Sequence, residues 1–447
     1  MNDTIAELQK TGISSSQSAS YSLNGKTILR FTHMLRGRSG GIEQHLSMLN
    51  HKLLKKNSMV IIQIYSTYEE KKLQIETEKI GLGTLIWVPV LENYKNGKIH
   101  KIGKRIIWEV LGFKFLLSKL FSYFPSLSIL FHNYLSQKLN KQNSQIGIKK
   151  ILVQLFNQYK IDLVIMHTIG SPDCREVIDE ISKRSVPYSI LNHFNNKKFE
   201  QLSVQNQLLQ AKLIGGISSI NVPQNIRNSF WNLSNCVNIN FFNPEKYVNQ
   251  ESSTKETIIF LPARICPVKG HIDLLKAARI LRGKKLRFKI IFAGRNDARV
   301  YFPEFEIKLM NYIQKFDLKN DVIFKGHLSQ KKLRDLYVLS DIIVLPSHNE
   351  GLGRVLLEAQ AMKKPVIAYN VGGVKEAVLN NCTGFIIKKG DIKSLAQKIE
   401  ILIKNENTRK KFGNAGRIHV VSNFSLSKLV ERHEKFYIGS LQLSNKN

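Results

Sequence analysis

Short apolar runs rich in β-branched residues alternate with helical stretches along most of this chain. The runs are nearly continuous, as in parallel strands buried on both faces. Helical stretches of about 10–15 residues separate them, which is typical of βαβ units. The predicted strands are Thr27–Phe31, Met59–Tyr65, Leu85–Val90, Asp162–Met166, Tyr188–Leu191, Leu213–Ile217, Val237–Asn240, Thr257–Leu261, Phe288–Ala293, Val322–Lys325, Ile342–Leu345, Val366–Ala368 and Phe385–Ile387.

The alternation occurs as two series, separated by the polar stretch Asn243–Lys255. It predicts the α/β class, with two doubly wound parallel-sheet domains. The predicted organisation is a flexible tail, an N-terminal domain, a C-terminal domain and a final helix with its tail, at 1–24, 25–245, 246–425 and 426–447. Because ligands bind beyond the carboxyl ends of the strands in such sheets, we expect a ligand in a cleft between the two domains.

Basic residues outnumber acidic ones by 67 to 34, for a net charge of +33. Such a balance favours anionic partners, but it is also that of a lysine-rich chain with a solvated surface. The sequence has no helix-turn-helix, zinc-ligand or RNA-recognition pattern, so nucleic acid is not an expected partner. The four cysteines form no CxxC pair. Neither a disulfide framework nor a thiolate zinc site is predicted, and the cytoplasm is the expected location.

Residues 95–150 hold eleven Lys or Arg residues and a single acid, Glu109. Read as a helix, residues 105–124 place apolar and aromatic side chains in one stripe and basic ones outside it. Two interpretations stay open: a helix lying on an anionic membrane surface, or a helix packed on its own sheet with an exposed basic back. The most apolar window, Phe113–Phe131, contains two lysines and a proline and is a poor spanning helix.

The first predicted strand runs into the glycine-rich turn Leu35-Arg-Gly-Arg-Ser-Gly-Gly41, which a helix follows. Such a turn leaves backbone N–H groups free beside a helix N-terminus, an arrangement that suits a phosphate. The spacing is that of neither GxGxxG nor a P-loop. A tight turn at a sheet edge explains the glycines equally well.

Arg264 follows the first strand of the second series, and Lys269-Gly270 lies at the start of the next helix. Two cations beside a helix N-terminus suit a diphosphate. The alternative is a pair of solvated surface cations, which are common in so basic a chain.

The segment from Pro346 to Pro365 places Glu350 in a glycine-containing loop and Glu358 in the helix that begins near Gly353. Glycines allow the backbone to approach a ligand closely. The two carboxylates could therefore accept hydrogen bonds from different parts of one long ligand, such as the hexose and the ribose of a nucleotide sugar. The alternative is a helix cap and a surface helix residue.

Together these segments resemble the retaining glycosyltransferases of family 4, which have the GT-B fold of two Rossmann-like domains facing a central cleft. The resemblance extends from about residue 26 to 437 and is carried by Arg38–Leu46, Leu261–Gly270, Glu350–Glu358 and Val371–Ile387. Leu352 stands where this family often has Phe, and Asn240–Pro244 lacks the usual preceding Asn-Gly, so the donor stays open.

The resemblance implies that Arg264 and Lys269 bind the donor diphosphate, Glu350 the donor sugar and Glu358 the ribose. It also implies donor contacts from further residues: Gly40, Gly41, Gly326, His327, Gly351, Leu352 and Gly353. The implied catalytic set is Arg264, Lys269, Glu350 and His193. His193 ends a predicted strand and matches in placement the family's histidine near the reacting sugar. His167 is a second strand-end candidate, and either histidine could instead be structural.

The implied function is a retaining transfer of a sugar from a nucleotide sugar, with UDP-sugar favoured and GDP-mannose open. The acceptor is a hydroxyl of a glycan or lipid-linked molecule in cell-surface polysaccharide, lipopolysaccharide or glycolipid synthesis. Cations and a helix N-terminus would stabilise the leaving diphosphate, so no protein nucleophile, metal or other cofactor is expected.

Two alternatives stay open: a soluble transferase acting on a small sugar or sugar phosphate, and a non-catalytic relative that binds nucleotide sugars. The expected location is the cytoplasm. Peripheral attachment to the inner face of the cytoplasmic membrane through residues 95–150 is a further hypothesis.

Overall fold

The computed structural model describes residues 22–35, 41–67, 76–91, 145–167, 172–192, 207–220, 222–227, 229–247, 256–297 and 302–444. Most of the predicted tail, most of the basic segment 95–150, Gly40 and His193 lie outside the described residues. The chain forms two compact units. The N-terminal unit is drawn from 11–191, 201–214 and 437–447, and the C-terminal unit consists mainly of 215–436.

The strands run as follows in chain order: β1 Thr27–Leu35, β2 Val60–Thr67, β3 Glu76–Ile80, β4 Gly83–Leu91, β5 Leu163–Met166, β6 Tyr188–Asn192, β7 Ile214–Gly216, β8 Phe230–Asn232, β9 Thr257–Pro262, β10 Phe288–Ala293, β11 Val322–Phe324, β12 Ile342–Leu345, β13 Val366–Tyr369 and β14 Gly384–Ile387.

The helices are α1 Gly41–Lys56, α2 Gln145–Gln158, α3 Pro172–Ser182, α4 Gln224–Arg227, α5 His271–Gly283, α6 Pro303–Lys315, α7 Gln330–Leu339, α8 Arg354–Ala361, α9 Val374–Ala377, α10 Ile392–Lys404, α11 Glu406–Phe424 and α12 Leu426–Ser444, with short 3₁₀ turns at Pro244–Tyr247 and Pro267–Lys269. Asp391 is the N-cap of α10, and its carboxylate accepts a hydrogen bond from the Ser394 N–H at 3.0 Å.

The N-terminal unit contains a sheet in which β3-β4-β2-β1-β5-β6 are neighbours. The pairs from β4 to β6 are parallel, whereas β3 is antiparallel to β4. Arg30 of β1 is fully buried and donates hydrogen bonds to Asn50 and to the Tyr437 hydroxyl. These bonds explain why the end of α12 clusters with this unit, because a buried guanidinium needs partners.

The C-terminal unit contains the sheet β11-β10-β9-β12-β13-β14, whose pairs are all parallel. This is the 3-2-1-4-5-6 order of doubly wound nucleotide-binding sheets. Apolar cores lie on both faces, as the continuous apolar strands predict. The strand order reverses between β9 and β12, so their carboxyl ends mark the expected ligand crevice.

The predicted strand Val237–Asn240 is wrong, because only Val237 makes a single bridge, to Ser425. Val237 and Phe242 are instead buried in the core of the C-terminal unit. Their apolar character reflects that packing, and it explains why residues 215–242 cluster with this unit, upstream of the predicted limit at 245.

Two strands escaped prediction, β3 and β8. The first four residues of β3 are exposed and its sequence, ETEKI, is mostly polar, so it carries no apolar pattern. The α/β class with two Rossmann-like parallel-sheet units is nevertheless confirmed. No helix within the described ranges is both long enough and apolar enough to span a bilayer.

Candidate functional site

Two charged residues predicted from the sequence follow the strands at which the order of the C-terminal sheet reverses. Arg264 comes two residues after β9, and Glu350 comes five residues after β12. The segments that follow these two strands leave the sheet at the same carboxyl edge, because β9 and β12 are parallel neighbours. The sheet topology therefore brings these two segments together at the expected ligand crevice.

Lys269 and Glu350 form a direct ion pair, with Lys269 Nζ 2.5 Å from Glu350 Oε1. The side chains are only 18% and 12% exposed. The backbone holds the two segments together as well, because the His348 N–H donates to the Val268 carbonyl at 2.8 Å. Lys269 is therefore not a solvated surface cation.

Gly270 separates Lys269 from α5 and has a left-handed conformation, with φ of +73°. A Cβ atom at this position would lie 1.9 Å from the carbonyl oxygen of Pro346, which begins the Glu350 loop. Only glycine satisfies both the dihedral angle and the close approach. The Lys269–Glu350 geometry thus depends on a residue without a side chain.

A second link between α5 and the Glu350 loop passes through Asp273. Its Oδ2 accepts a hydrogen bond from the Tyr369 hydroxyl at 3.0 Å and lies 3.1 Å from His348 Nε2. His348 is two residues before Glu350, so this buried carboxylate fixes the loop to the first turn of α5. Neither Asp273 nor Tyr369 is predicted from the sequence as a site residue.

Arg264 is 56% exposed and forms an ion pair with Asp297, at 2.7 Å from Nη1 to Oδ2. Burial alone would raise the pKa of the Asp297 carboxyl, but the hydrogen bond from Arg295 and the charges of Arg264 and Arg295 lower it below its usual value. Asp297 therefore holds a negative charge that orients Arg264 while leaving most of the guanidinium open to a ligand.

Glu358 is 3% exposed and faces the interior from α8, so the alternative of a surface helix residue is wrong. Its Oε2 accepts a hydrogen bond from the Tyr337 hydroxyl at 3.1 Å, and its Oε1 lies 3.1 Å from Arg354 Nε. Burial raises the pKa of the Glu358 carboxyl, while Arg354 and Tyr337 oppose that effect.

The loop from Glu350 to Gly353 is also fixed by contacts with the glycine pair Gly372-Gly373. The Gly373 N–H donates to the Gly351 carbonyl at 2.7 Å, and a Cβ on Gly372 would lie 1.8 Å from the Glu350 carbonyl oxygen. Leu352 is buried in the apolar core, so its side chain contributes to packing. Gly353 takes φ of +80° and precedes α8.

Residues 243–419 match the family model of Glycosyl transferases group 1. We call these matched residues the glycosyl transferase domain. The match includes Arg264, Lys269, Glu350 and Glu358.

Curated proteins named glycosyltransferases match part of this chain. The chain is 35% identical over 180 residues to the capsular polysaccharide biosynthesis glycosyltransferase CapM of Staphylococcus aureus, which covers 40% of this chain and 45% of CapM. The chain thus spans about half the length of the first curated relatives it matches.

Solved structures resemble nearly the whole chain at low identity. A glycosyltransferase from Rickettsia africae ESF-5 has a TM-score of 0.65 at 22% identity, covering 94% of this chain and 99% of that one. Anabaena HepE in complex with UDP has a TM-score of 0.64 at 14% identity, covering 92% and 99%. These likenesses show the fold, which is the GT-B fold predicted from the sequence.

Gly326 and His327 lie at the carboxyl edge of the same sheet in the glycosyl transferase domain. Gly326 takes φ of +64°, and its carbonyl accepts a hydrogen bond from the Gly294 N–H at 2.8 Å. The His327 side chain is exposed. Their predicted position beside the donor base stays a prediction.

The predicted site residues outside the glycosyl transferase domain are only partly described. Gly41 begins α1, and the buried His167 follows β5. Gly40 and His193 lie outside the described residues. The roles of all four stay predictions.

Proposed function

We propose that this chain is a glycosyltransferase that moves a sugar from a nucleotide-sugar donor to a hydroxyl group of a glycan or lipid-linked acceptor. The observation that carries the proposal is the ion pair between Lys269 and Glu350, beside the start of α5. It joins a cation suited to a diphosphate and a carboxylate suited to sugar hydroxyls. Both lie in a group 1 glycosyl transferase domain.

In this proposal Arg264 and Lys269 bind the diphosphate. An ammonium group has three donors, so Lys269 can contact phosphate oxygens while it keeps one hydrogen bond to Glu350. The remaining oxygen of Glu350 is then available to a sugar hydroxyl. Asp297 holds Arg264 from the protein side, which leaves its outer N–H groups for phosphate.

Glu358 is the proposed partner of the ribose, and backbone N–H groups of Gly351, Leu352 and Gly353 are proposed partners of the sugar and phosphates. The N-terminus of α8 follows directly and favours negative charge. These groups and the two cations would stabilise the charge that develops on the leaving diphosphate.

We further propose that the reaction retains the configuration of the sugar and needs no metal ion. Retention is proposed from the resemblance to the retaining transferases of family 4. The support for metal independence is electrostatic: Arg264, Lys269 and the α8 N-terminus supply positive potential where a metal would otherwise neutralise the leaving group. Metal independence is tested directly in the next experiment.

A panel of UDP-glucose, UDP-N-acetylglucosamine, UDP-galactose and GDP-mannose tests the donor. We expect one nucleotide sugar at about 100 times its dissociation constant to stabilise the fold by about 2.7 kcal/mol, because it binds the folded state only. Thermal unfolding measures the shift, and EDTA should leave it unchanged. UDP-sugars are favoured, and the complex of the structurally similar HepE with UDP supports that preference.

The panel also separates the alternatives. A protein that no nucleotide sugar stabilises is not a transferase of this kind. A non-catalytic relative would show the thermal shift but would not release UDP or GDP from the donor in the presence of glycan or lipid-linked acceptors. An EDTA-sensitive shift would contradict metal independence.

The acceptor is proposed to belong to cell-surface polysaccharide, lipopolysaccharide or glycolipid synthesis, and CapM, a capsular polysaccharide enzyme by name, supports the first of these. The proposed location is the cytoplasm, with attachment to the inner face of the membrane through residues 95–150. Those residues carry eleven basic side chains against one acid. We expect the protein to sediment with anionic phosphatidylglycerol vesicles at low salt and to be released at high salt.

A variant with Lys98, Lys101, Lys104 and Arg105 replaced by Gln should sediment less than the wild type in this assay. A wild-type protein that stays in the supernatant would rule out the membrane attachment and favour a small sugar or sugar phosphate as acceptor.

A further inference from the structure

The Glu376 carboxylate of α9 accepts hydrogen bonds from residues of the C-terminal unit that are distant in sequence. Its Oε1 accepts from the Ser218 hydroxyl at 3.0 Å, from the Ser219 N–H at 2.9 Å and from the Ser219 hydroxyl at 2.8 Å. Its Oε2 accepts from Asn232 Nδ2 at 2.9 Å. Three of these four donors belong to Ser218 and Ser219, and hydrogen bonds to an ionised group are strong, so the carboxylate fixes the segment 218–219.

The four groups that donate to Glu376 are neutral. Among the described residues, the ion pairs do not include Glu376. Glu376 therefore does not neutralise a nearby cation. Its charge instead holds a chain segment that follows β7, more than 150 residues earlier in the sequence.

The segment held by Glu376 contacts the Glu350 loop through glycine. A Cβ on Gly373 would lie 2.8 Å from the Ser218 hydroxyl oxygen and 2.4 Å from the Gly351 carbonyl oxygen. Ser218 and Gly351 thus both occupy the space that a side chain at Gly373 would fill. The Gly373 N–H also donates to that same Gly351 carbonyl, at 2.7 Å.

A second contact joins the same two segments. A Cβ on Gly351 would lie 2.9 Å from Ile217 Cδ1, so the residue before Ser218 packs against the residue after Glu350. A shift of the segment 217–219 would therefore remove packing support from the Gly351 and Gly373 backbone beside Glu350.

We propose that Glu376 is a positioning residue for Glu350. It holds the segment 217–219 against Gly373 and Gly351, and this fixes the Glu350 carboxylate where it can meet the donor sugar. The inference rests on the proposed function. Glu376 acts through the backbone of its neighbours and need not touch the donor itself.

This role predicts a specific change in ligand binding. Arg264 and Lys269 belong to other segments, so the nucleoside diphosphate should lose less affinity than the nucleotide sugar when Glu376 is lost. The contact made by Glu350 to the sugar should weaken. The informative quantity is the ratio of the dissociation constants of the nucleotide sugar and of its nucleoside diphosphate.

The experiment measures both constants by calorimetry for the best nucleotide sugar of the panel and for matching UDP or GDP. For Glu376→Ala we expect that ratio to rise about tenfold, the equivalent of one lost hydrogen bond of about 1.4 kcal/mol. Glu376→Gln should fall in between, because an amide oxygen can keep the Ser218 and Ser219 bonds. Its NH₂ group cannot accept from Asn232.

Three further variants separate positioning from general stability. Ser218→Ala removes the hydroxyl next to Gly373 and should raise the ratio, whereas Ser219→Ala leaves that contact intact and should not. Glu400→Ala removes a carboxylate that accepts from Lys284 at 2.5 Å and Lys404 at 2.7 Å, on α10. It should reduce stability without changing the ratio.

The outcomes are distinguishable. Glu376→Ala with the wild-type ratio, or with nucleotide sugar and nucleoside diphosphate weakened equally, would overturn the positioning role while leaving the proposed function in place. A wild-type protein that binds neither ligand would overturn the proposed function and this inference with it.

Discussion

Replacing Lys269 with methionine is expected to weaken the binding of the nucleotide-sugar donor by about 100-fold. Met retains the apolar stem but removes the ammonium group, which the donor diphosphate and Glu350 share in the proposal. A hydrogen bond to a charged group contributes about 1.5–3 kcal/mol, and each 1.4 kcal/mol corresponds to a factor of ten in affinity. At the donor concentration that stabilises the wild type by about 2.7 kcal/mol, the stabilisation of the variant should fall to about 0.4 kcal/mol.

The matched control is Lys284→Met. Lys284 also forms a 2.5 Å ion pair with a glutamate in the C-terminal unit, Glu400, but it lies outside the carboxyl-edge site. The same substitution there should leave the thermal shift unchanged. Equal donor affinities for Lys269→Met and Lys284→Met would contradict the assignment of Lys269 to the diphosphate.

Glu350→Gln completes this test from the other side of the ion pair. The amide keeps the size of the side chain but loses the charge, so the nucleotide sugar should bind more weakly while UDP or GDP binds nearly as in the wild type. The two variants therefore separate the diphosphate contact from the sugar contact.

The sequence was sufficient to place the residues that follow parallel strands. Arg264 and Glu350 could be located because βαβ alternation identifies strand ends, and parallel strands deliver their carboxyl ends to one edge. Gly353, in the glycine-containing loop that the sequence places before α8, takes a left-handed conformation. These features are local in sequence.

The sequence was not sufficient to find the partners of these residues. Asp297 lies 33 residues from Arg264, and Tyr337 lies 21 residues before Glu358. Contacts of this kind depend on which helix or loop packs beside which, and no spacing rule encodes that packing. The wrong strand at Val237–Asn240 has the same origin, since an apolar run does not reveal whether it pairs with a strand or packs against helices.

Gly270→Ala is expected to destabilise the C-terminal unit and to abolish donor binding by what remains folded. An L-residue in the left-handed region costs about 1–2 kcal/mol. At Gly270 the added Cβ also meets the Pro346 carbonyl oxygen at 1.9 Å, so the backbone of one segment must move. Pro346 begins the loop of Glu350, and Lys269 directly precedes Gly270. The movement should therefore separate the two charges that now lie 2.5 Å apart.

Gly390→Ala isolates the steric part of this effect. Gly390 has almost the same conformation, with φ of +79°, but a Cβ there would meet no atom within 4 Å. It should show only the conformational cost, about 1–2 kcal/mol in chemical denaturation, and should keep the donor-induced thermal shift. The difference between the two variants measures the close approach of Lys269-Gly270 to the Glu350 loop. If both were equally destabilised and both still bound the donor, that approach would not determine the site.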